Sequence, residues 1–286
     1  MLSIIKRNKG DVWFKTTALL LAASIPFIFL LLFLLLIWQS RLSLRTFGIG
    51  FIFNSGWDPV RDQYGALPFI YGTFVSSILA LIIAVPLGLG CAIYLAEVSQ
   101  SRFKEWLATM VDLLAAIPSV VYGLWGLAVI TPIFGLSMMS AGVLLAIMIL
   151  PTITSVSREV LQAVPLSLRE SARALGATKW ETIKLSVLPP AASGIIGSTI
   201  LGLGRAVGET MAVTMVIGNR PEISGSLMAP AYSLSAVLAN EFAEASSNMN
   251  FSVMVEIALI LLAFTVLING VAKLLVWKII GHNRIH

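Results

Sequence analysis

Two residues of opposite charge, Arg205 and Glu209, interrupt a long apolar run of the sequence. Arg205 lies about 17 residues into the stretch 188–218, or roughly 26 Å along a helix that rises 1.5 Å per residue. An arginine at the centre of a membrane helix costs on the order of 2.5–3.5 kcal/mol on insertion scales, so such residues usually face a bundle interior or a water-filled path. The spacing of four residues predicts that both side chains lie on one helix face, where they can pair.

The side chains of this segment have the chemistry to bind a tetrahedral oxyanion. The planar guanidinium of Arg205 can donate two charge-assisted hydrogen bonds to two oxygens of one anion. A carboxylate at Glu209 would weaken anion binding and hold the arginine when no substrate is present, which fits a passage site better than a storage site. Thr210 adds a hydroxyl, and Thr73 in an earlier apolar stretch could line the same path. The alternative is a self-neutralised pair that only fixes helix packing.

No set of residues in the sequence indicates catalysis, a bound nucleotide or a metal site. The motif Gly-x-x-x-x-Gly-Lys-Ser/Thr, which cradles nucleotide phosphates, does not occur. Cys91 is the only cysteine, so neither an internal disulfide nor a Cys/His metal cluster is predicted. We therefore expect a transporter subunit that is not an enzyme and binds no cofactor of its own, so that its energy must come from a partner.

The composition requires lipid to cover much of the surface. The chain has 286 residues, of which 58% are hydrophobic and only 12% charged, whereas a soluble domain is about a quarter charged. A membrane-spanning helix needs about 20 mostly apolar residues. Six stretches meet this requirement and predict an all-α membrane protein with six spans: 17–38, 69–95, 107–131, 137–156, 188–218 and 252–280.

The distribution of basic residues predicts that both termini lie in the cytoplasm. With the N-terminus inside, fourteen of the 19 Lys and Arg residues fall on the cytoplasmic side and four outside, which agrees with the positive-inside rule. These flanking residues explain the net charge of +5, and no basic stripe or motif indicates nucleic-acid binding. We expect a cytoplasmic N-terminal segment at 1–16 and a single transmembrane domain at 17–286.

The longest predicted cytoplasmic loop, 157–187, has the sequence of a helix, a turn and a second helix. Apolar residues recur at helical spacing after Pro165, and Gly176 suits a left-handed C-terminal cap. The run from Thr178 to Glu181 reads as a capping box that opens the second helix. Two stiff helices joined by a fixed bend can transmit force. The alternative is a solvated amphipathic hairpin on the membrane surface.

This loop resembles the signature loop of ABC importer permeases, whose pattern is Glu-Ala-Ala, three residues, Gly, nine residues, Ile-x-Leu-Pro. The spacing is intact here, with Ser171 in place of the first alanine and Ser186 in place of the isoleucine. In that family the loop docks into a cleft of a cytoplasmic ATPase. The resemblance implies a permease core over about 64–280 and a coupling-helix hairpin whose ATPase contact is formed by Glu170, Ser171, Ala172, Gly176, Leu188 and Pro189.

A second resemblance, to the permeases of phosphate importers, extends over residues 64 to about 242. It rests on the segments 202–213, 64–68, 71–73, 84–88 and 239–242. The start Tyr-Gly-Ala-Leu-Pro at 64–68 favours the PstC type of subunit over its PstA sister. In that family, the arginine and glutamate that correspond to Arg205 and Glu209 are implicated in phosphate passage.

The resemblance also implies the partners and the location of the chain. It predicts a sister permease of the PstA type, a dimeric cytoplasmic ATPase that binds ATP and Mg²⁺, an extracytoplasmic phosphate-binding protein and surrounding lipid, in the inner membrane of a prokaryote. Three other functions remain open: a permease for sulfate, molybdate or tungstate, a self-sufficient channel or secondary carrier, and a signalling subunit that moves nothing. The loop 157–187 and the missing nucleotide motif count against the channel or carrier.

Overall fold

The computed structural model describes residues 9–99 and 103–282, and every regular element in these ranges is helical. Half of the predicted cytoplasmic segment 1–16 therefore lies outside the described residues. Within the described ranges the backbone forms no strand, only two isolated bridges. The prediction of an all-α protein is confirmed.

Fourteen α-helices follow one another along the described chain. They are α1 (Lys9–Gln39), α2 (Arg41–Phe47), α3 (Gly50–Phe53), α4 (Leu67–Ile93), α5 (Phe103–Ala116), α6 (Ser119–Val129), α7 (Thr131–Phe134), α8 (Met138–Gln162), α9 (Leu166–Ala174), α10 (Lys179–Thr182), α11 (Leu188–Gly208), α12 (Met211–Val216), α13 (Leu234–Glu241) and α14 (Asn248–His282). Turns of 3₁₀-helix occur at Pro59–Arg61 and Phe242–Glu244, and turns of π-helix at Tyr94–Val98 and Ile183–Val187.

Among the described residues, five helical segments are long and apolar enough to cross a membrane alone. They are Trp13–Gln39, Leu67–Val98, Met138–Gln162, Lys179–Gly208 and Asn248–Leu274. The predicted count of six is reached only if α5 and α6, which meet at 96°, together make one more crossing. The predicted span at 107–131 is therefore not one continuous helix but a bent pair. Pro118 lies between α5 and α6 and disfavours helical backbone at Ile117, so the chain bends there.

The predicted fifth span, 188–218, is also interrupted. The helix α11 ends at Gly208, and Glu209 takes an extended conformation with φ −71° and ψ 127° before the chain resumes as α12. The Ser235 hydroxyl of α13 donates to the Glu209 carbonyl oxygen at 2.7 Å. This contact satisfies one of the acceptors that a helix end leaves free, so the break is held by packing against α13.

The main core lies where α4, α8, α11 and α12 meet. The helix α8 is central, because 61% of its most apolar stretch is buried, about twice the share of any other described span. The helix α1 is the opposite case, since none of its most apolar stretch is buried and it packs mainly on α14. Its apolar surface is therefore left for lipid or for another subunit.

A second cluster of buried residues joins the segment 51–69 to α13 and the start of α14. Trp57 lies edge-on to Tyr64 and Phe69, with ring centroids 5.3 and 4.7 Å apart, and its indole N–H donates to Glu241 Oε2 at 3.2 Å. Burial raises the pKa of the Glu241 carboxyl above its usual range, and the hydrogen bond from Trp57 opposes this shift. The segment 51–69, α13 and the start of α14 thus form one packed unit.

Gly72 of α4 is a point of close contact between the second span and this unit. A Cβ atom at Gly72 would lie 2.2 Å from the Tyr232 carbonyl oxygen, whereas one at Gly90 on the same helix would meet nothing within 4 Å. We expect Gly72→Ala to lower the free energy of unfolding by about 1–3 kcal/mol, because the backbone must shift to admit the methyl group. Gly90→Ala is the matched control and should be neutral or stabilising by up to about 1 kcal/mol. Thermal unfolding in one detergent measures both, and equal unfolding temperatures would contradict this packing.

Candidate anion path and coupling loop

Arg205 lies in the last turn of α11 and is half-buried. Its guanidinium Nη1 donates to the Thr152 hydroxyl of α8 at 3.3 Å. The two helices come close at Gly202, where a Cβ atom would lie 3.0 Å from Ile153 Cδ1. The glycine therefore lets α8 approach closely enough to orient the guanidinium.

Arg205 opens onto a cleft of about 630 Å³ between α8, α11 and α14. Two cationic and two neutral polar side chains line it, and no carboxylate is among the described residues of its wall. Because both charged groups are positive, the field in the cleft favours anions. The lining residues are Thr152, Gly197, Ile200, Leu201, Gly204, Arg205, Asn269 and Lys273.

The residues that α14 contributes were not predicted from the sequence. The positive-inside count explains Lys273 as a basic residue that flanks a span, and no sequence motif points to Asn269. Their signal is a pair of polar residues four apart near the end of an apolar run, which places both on one helix face. The sequence does not show which face of α14 points to the cleft, because packing against Gly204 decides this. A Cβ atom at Gly204 would lie 3.6 Å from the Asn269 amide atoms.

Glu209 does not pair with Arg205, so this part of the prediction is wrong. The spacing argument required a continuous helix, and α11 ends at Gly208, between the two residues. Within the described residues, ion pairs join Asp58 to Arg61, Asp112 to Arg158 and Glu97 to Arg169. The charge of Arg205 is therefore not neutralised by Glu209 and can act on an anion in the cleft.

Neither of the two threonines that were predicted to line the path is among the residues that line the cleft. Thr210 follows the helix break, and its hydroxyl donates to the Gly208 carbonyl oxygen at 3.4 Å. Thr73 is only 2% exposed, donates to the Phe69 carbonyl oxygen at 2.8 Å and accepts from the Leu234 N–H at 2.9 Å. Because these bonds occupy its hydroxyl, Thr73 joins α4 to α13 and lies off the cleft.

The loop 157–187 has the predicted helix–turn–helix form. The helix α9 ends before Gly176, whose φ of 87° lies in the left-handed region that favours glycine. The predicted capping box is present: the Thr178 hydroxyl accepts from the Glu181 N–H at 3.4 Å, and the Glu181 carboxylate accepts from the Thr178 N–H at 2.8 Å. The second helix is one turn long and continues through the π-turn into α11.

The predicted ATPase-contact residues lie mostly on an exposed face of this loop. Residues 170 and 171 are exposed and residue 172 is half-buried, while Leu175 and Trp180 are 89% and 61% exposed. Large apolar side chains clustered on an exposed loop mark an interaction surface. Leu188 and Pro189 instead begin α11 and so fix where the loop meets the membrane span.

A buried ion pair that ties the loop to the spans was missed in the sequence. Arg169 of α9 is 8% exposed, and its Nη2 lies 2.6 Å from Oε1 of Glu97 in the π-turn that ends the second span. Arg169 also donates to the carbonyl oxygens of Val164 and Leu161, at 2.5 and 2.8 Å. No local pattern relates residues 72 positions apart. These bonds attach α9 to α8 and to the second span, so it cannot tilt without moving them.

Comparison with known proteins assigns the class. The family described as "Binding-protein-dependent transport system inner membrane component" matches residues 84–281, and the chain belongs to it. A solved bacterial alginate ABC transporter, in complex with an alginate pentasaccharide-bound periplasmic protein, shares the fold with a TM-score of 0.62 at 18% identity, covering 96% of this chain and 98% of that one. The inward-facing MetNI methionine ABC transporter matches with a TM-score of 0.59 at 22% identity, over 77% and 95%. The fold is that of an ABC importer permease.

Individual relatives narrow this class. The chain is 42% identical over 269 residues to the phosphate transport system permease protein PstC of Mesorhizobium japonicum, covering 85% of this chain and 81% of that protein. It is 41% identical to the protein of the same name from Pasteurella multocida, over 88% of both chains. The chain is a member of the PstC family and an inner-membrane component of a bacterial ABC transporter. The predictions of a PstC-type subunit and of a location in the inner membrane are confirmed.

The Arg169–Glu97 pair can be tested through the stability of the chain. We expect Arg169→Gln to lower the free energy of unfolding by about 3–5 kcal/mol, the usual cost of removing one partner of a buried ion pair. Arg173, exposed on the same helix, provides the control, and Arg173→Gln should change the stability by less than about 0.5 kcal/mol. Thermal unfolding of the purified variants is the measurement. Indistinguishable curves for both would show that the pair does not anchor the loop.

Proposed function

We propose that the chain is the membrane-spanning subunit of an ATP-driven importer that translocates inorganic phosphate across the cytoplasmic membrane. The observation that carries the proposal is the cleft in which Arg205, not paired with Glu209, meets Thr152 and two polar residues of α14. The names of the relatives, phosphate transport system permeases, support the same substrate. In this proposal the chain moves the anion and does not hydrolyse ATP.

Arg205 binds the anion weakly and transiently rather than tightly. Its guanidinium can donate two charge-assisted hydrogen bonds to phosphate oxygens, and the bond to Thr152 holds the planar fork in one orientation. The cleft of about 630 Å³ has room for an anion that keeps part of its water. Weak binding suits transport, because an anion held tightly in mid-membrane could not leave.

The loop 157–187 is the proposed contact with a dimeric cytoplasmic ATPase, through the exposed face of α9 and residues Glu170, Ser171, Ala172 and Gly176. ATP and Mg²⁺ would bind to that partner, since these 286 residues contain no nucleotide-binding motif. Movement of α9 would pass through Arg169 to Glu97, and so to the second span and α8. Both of these elements pack in the main core.

The proposed orientation has both termini and the loop 157–187 on the cytoplasmic side, as the basic residues favour. A sister permease of the PstA type would cover the open side of the cleft, so that the anion passes between two subunits. An extracytoplasmic phosphate-binding protein would dock on the packed unit formed by segment 51–69 and α13. Lipid would cover the unburied face of α1.

A permease for sulfate, molybdate or tungstate is the nearest alternative, because one arginine cannot choose among tetrahedral anions. Competition uptake separates these substrates: unlabelled phosphate should suppress uptake of labelled phosphate, while the other anions should not at equal concentration. A channel or secondary carrier would instead carry phosphate without ATP or partner subunits.

Arg205 is the residue on which transport should depend most. We expect Arg205→Gln to reduce ATP-dependent uptake of radiolabelled phosphate by about 10- to 100-fold, because a charge-assisted hydrogen bond of about 1.5–3 kcal/mol is lost. Assembly with the partners and docking of the ATPase should be unchanged. The matched control is Arg41→Gln, an exposed arginine away from the cleft. Normal uptake by Arg205→Gln in vesicles that contain the whole complex would refute the passage role.

Gly176 should matter through its backbone conformation. Its φ of 87° disfavours other residues, while a Cβ atom there would meet nothing within 4 Å in the chain. We expect Gly176→Ala to weaken binding of the ATPase several-fold, since a left-handed conformation costs a residue with a side chain about 1–2 kcal/mol. Gly176→Asn should bind more tightly than Gly176→Ala, because asparagine adopts this conformation more readily. Titration of the ATPase onto vesicles measures both, and weaker binding by the asparagine variant would contradict the explanation.

A further inference from the structure

The cleft beside Arg205 contains a second cation whose role the proposed function leaves open. Lys273 lies on α14 four residues after Asn269, so the two side chains share one helix face. Both line the cleft together with Arg205. Lys273 lies at the end of the apolar segment Asn248–Leu274, where a lysine can reach water, and its place in the wall of the cleft also puts its charge beside any anion held there.

The backbone of Lys273 lies nearer to the loop 157–187 than the backbone of Arg205 does. The helices α11 and α14 run in opposite directions, because the end of α11 and the beginning of α14 both contact α13. Asn269 faces Gly204 near the end of α11. Four residues further along α14, Lys273 is therefore displaced by about 6 Å toward the start of α11, where the coupling loop is attached.

We propose that Lys273 is a second phosphate-binding group, which receives the anion from Arg205 on the side of the cleft toward the coupling loop. This inference rests on the proposed function and adds a second contact and a direction to it. Gly197 lines the cleft at that end, and a Cβ atom there would meet nothing within 4 Å, so there is room for an anion. An ammonium group on a flexible stem can follow a moving anion, whereas the guanidinium fork bonded to Thr152 has a fixed orientation.

Two cations in series explain how a charged solute can cross without being trapped. The anion leaves Arg205 as it begins to contact Lys273, so its charge is compensated at each position while neither group holds it alone. Asn269 lies between these positions on the same wall and can donate an amide hydrogen bond during the transfer. The chemistry required of the ligand is a phosphate group, which a lipid headgroup also carries.

The first test compares uptake of radiolabelled phosphate by the complete complex in vesicles with and without anionic phosphatidylglycerol. We expect Lys273→Gln to reduce the rate about tenfold in both lipids, as the loss of one charge-assisted hydrogen bond would, and Lys273→Arg to retain at least about half of it. Lys15→Gln, an exposed lysine on α1, is the charge-matched control and should transport normally. Normal uptake by Lys273→Gln, or a loss confined to vesicles with phosphatidylglycerol, would overturn the proposal, the second result because it indicates a lipid contact.

A second test uses protein that has already folded and assembled. Lys273→Cys is introduced together with Cys91→Ser, and the reconstituted complex is treated with a cationic or an anionic thiol-directed methanethiosulfonate reagent. We expect the cationic reagent to restore uptake several-fold and the anionic reagent to restore none. Equal effects of the two reagents would overturn the proposal. The unmodified chain and Arg205→Gln in the same vesicles distinguish a failure of this inference from a failure of the proposed function. Phosphate import that depends on Arg205 but not on Lys273 would overturn the role of Lys273 and leave the proposed function standing.

Discussion

A positively charged side chain inside a bundle of apolar helices needs polar surroundings, and Arg205 is where this requirement shapes the structure. The helix α11 stops within one turn of it, α8 supplies the Thr152 hydroxyl, and α14 supplies Asn269 at a contact with Gly204. The space between these helices stays open as a cleft. Each feature lowers the cost of desolvating the guanidinium without pairing it with a carboxylate, so the charge remains available to an anion.

The two ends of α11 connect the cleft to the loop 157–187. One end continues from the π-turn of that loop, and the other carries Arg205, so a single helix of 21 residues joins them. A second connection runs from α9 through the Arg169–Glu97 ion pair to the second span and to α8. Because α8 and α11 form two walls of the cleft, a displacement of the loop in the proposed mechanism would reach the cleft by both routes. This arrangement suits a transporter in which movement of the loop changes the side of the membrane to which the cleft is open.

Local signals predicted much of this structure, and long-range contacts account for what was missed. Hydropathy predicted the membrane helices, and the capping box and the cap glycine Gly176 predicted the helix–turn–helix form of the loop 157–187, because each signal lies within a few residues of its effect. The end of α11 at Gly208 was missed because its stabilising contact comes from Ser235, more than twenty residues later. The Arg169–Glu97 pair was missed for the same reason, since only tertiary structure brings these residues together.

The central claim is that the guanidinium of Arg205 borders a path for phosphate. The most direct test is an experimental structure of the complete complex in lipid, with its sister permease, its ATPase and inorganic phosphate present. We predict that Arg205 faces a hydrated space between the two permease subunits, with phosphate density within hydrogen-bonding distance of the guanidinium or of Lys273. Arg205 packed against lipid chains, or sealed from water by the sister subunit in every state of the cycle, would contradict the account.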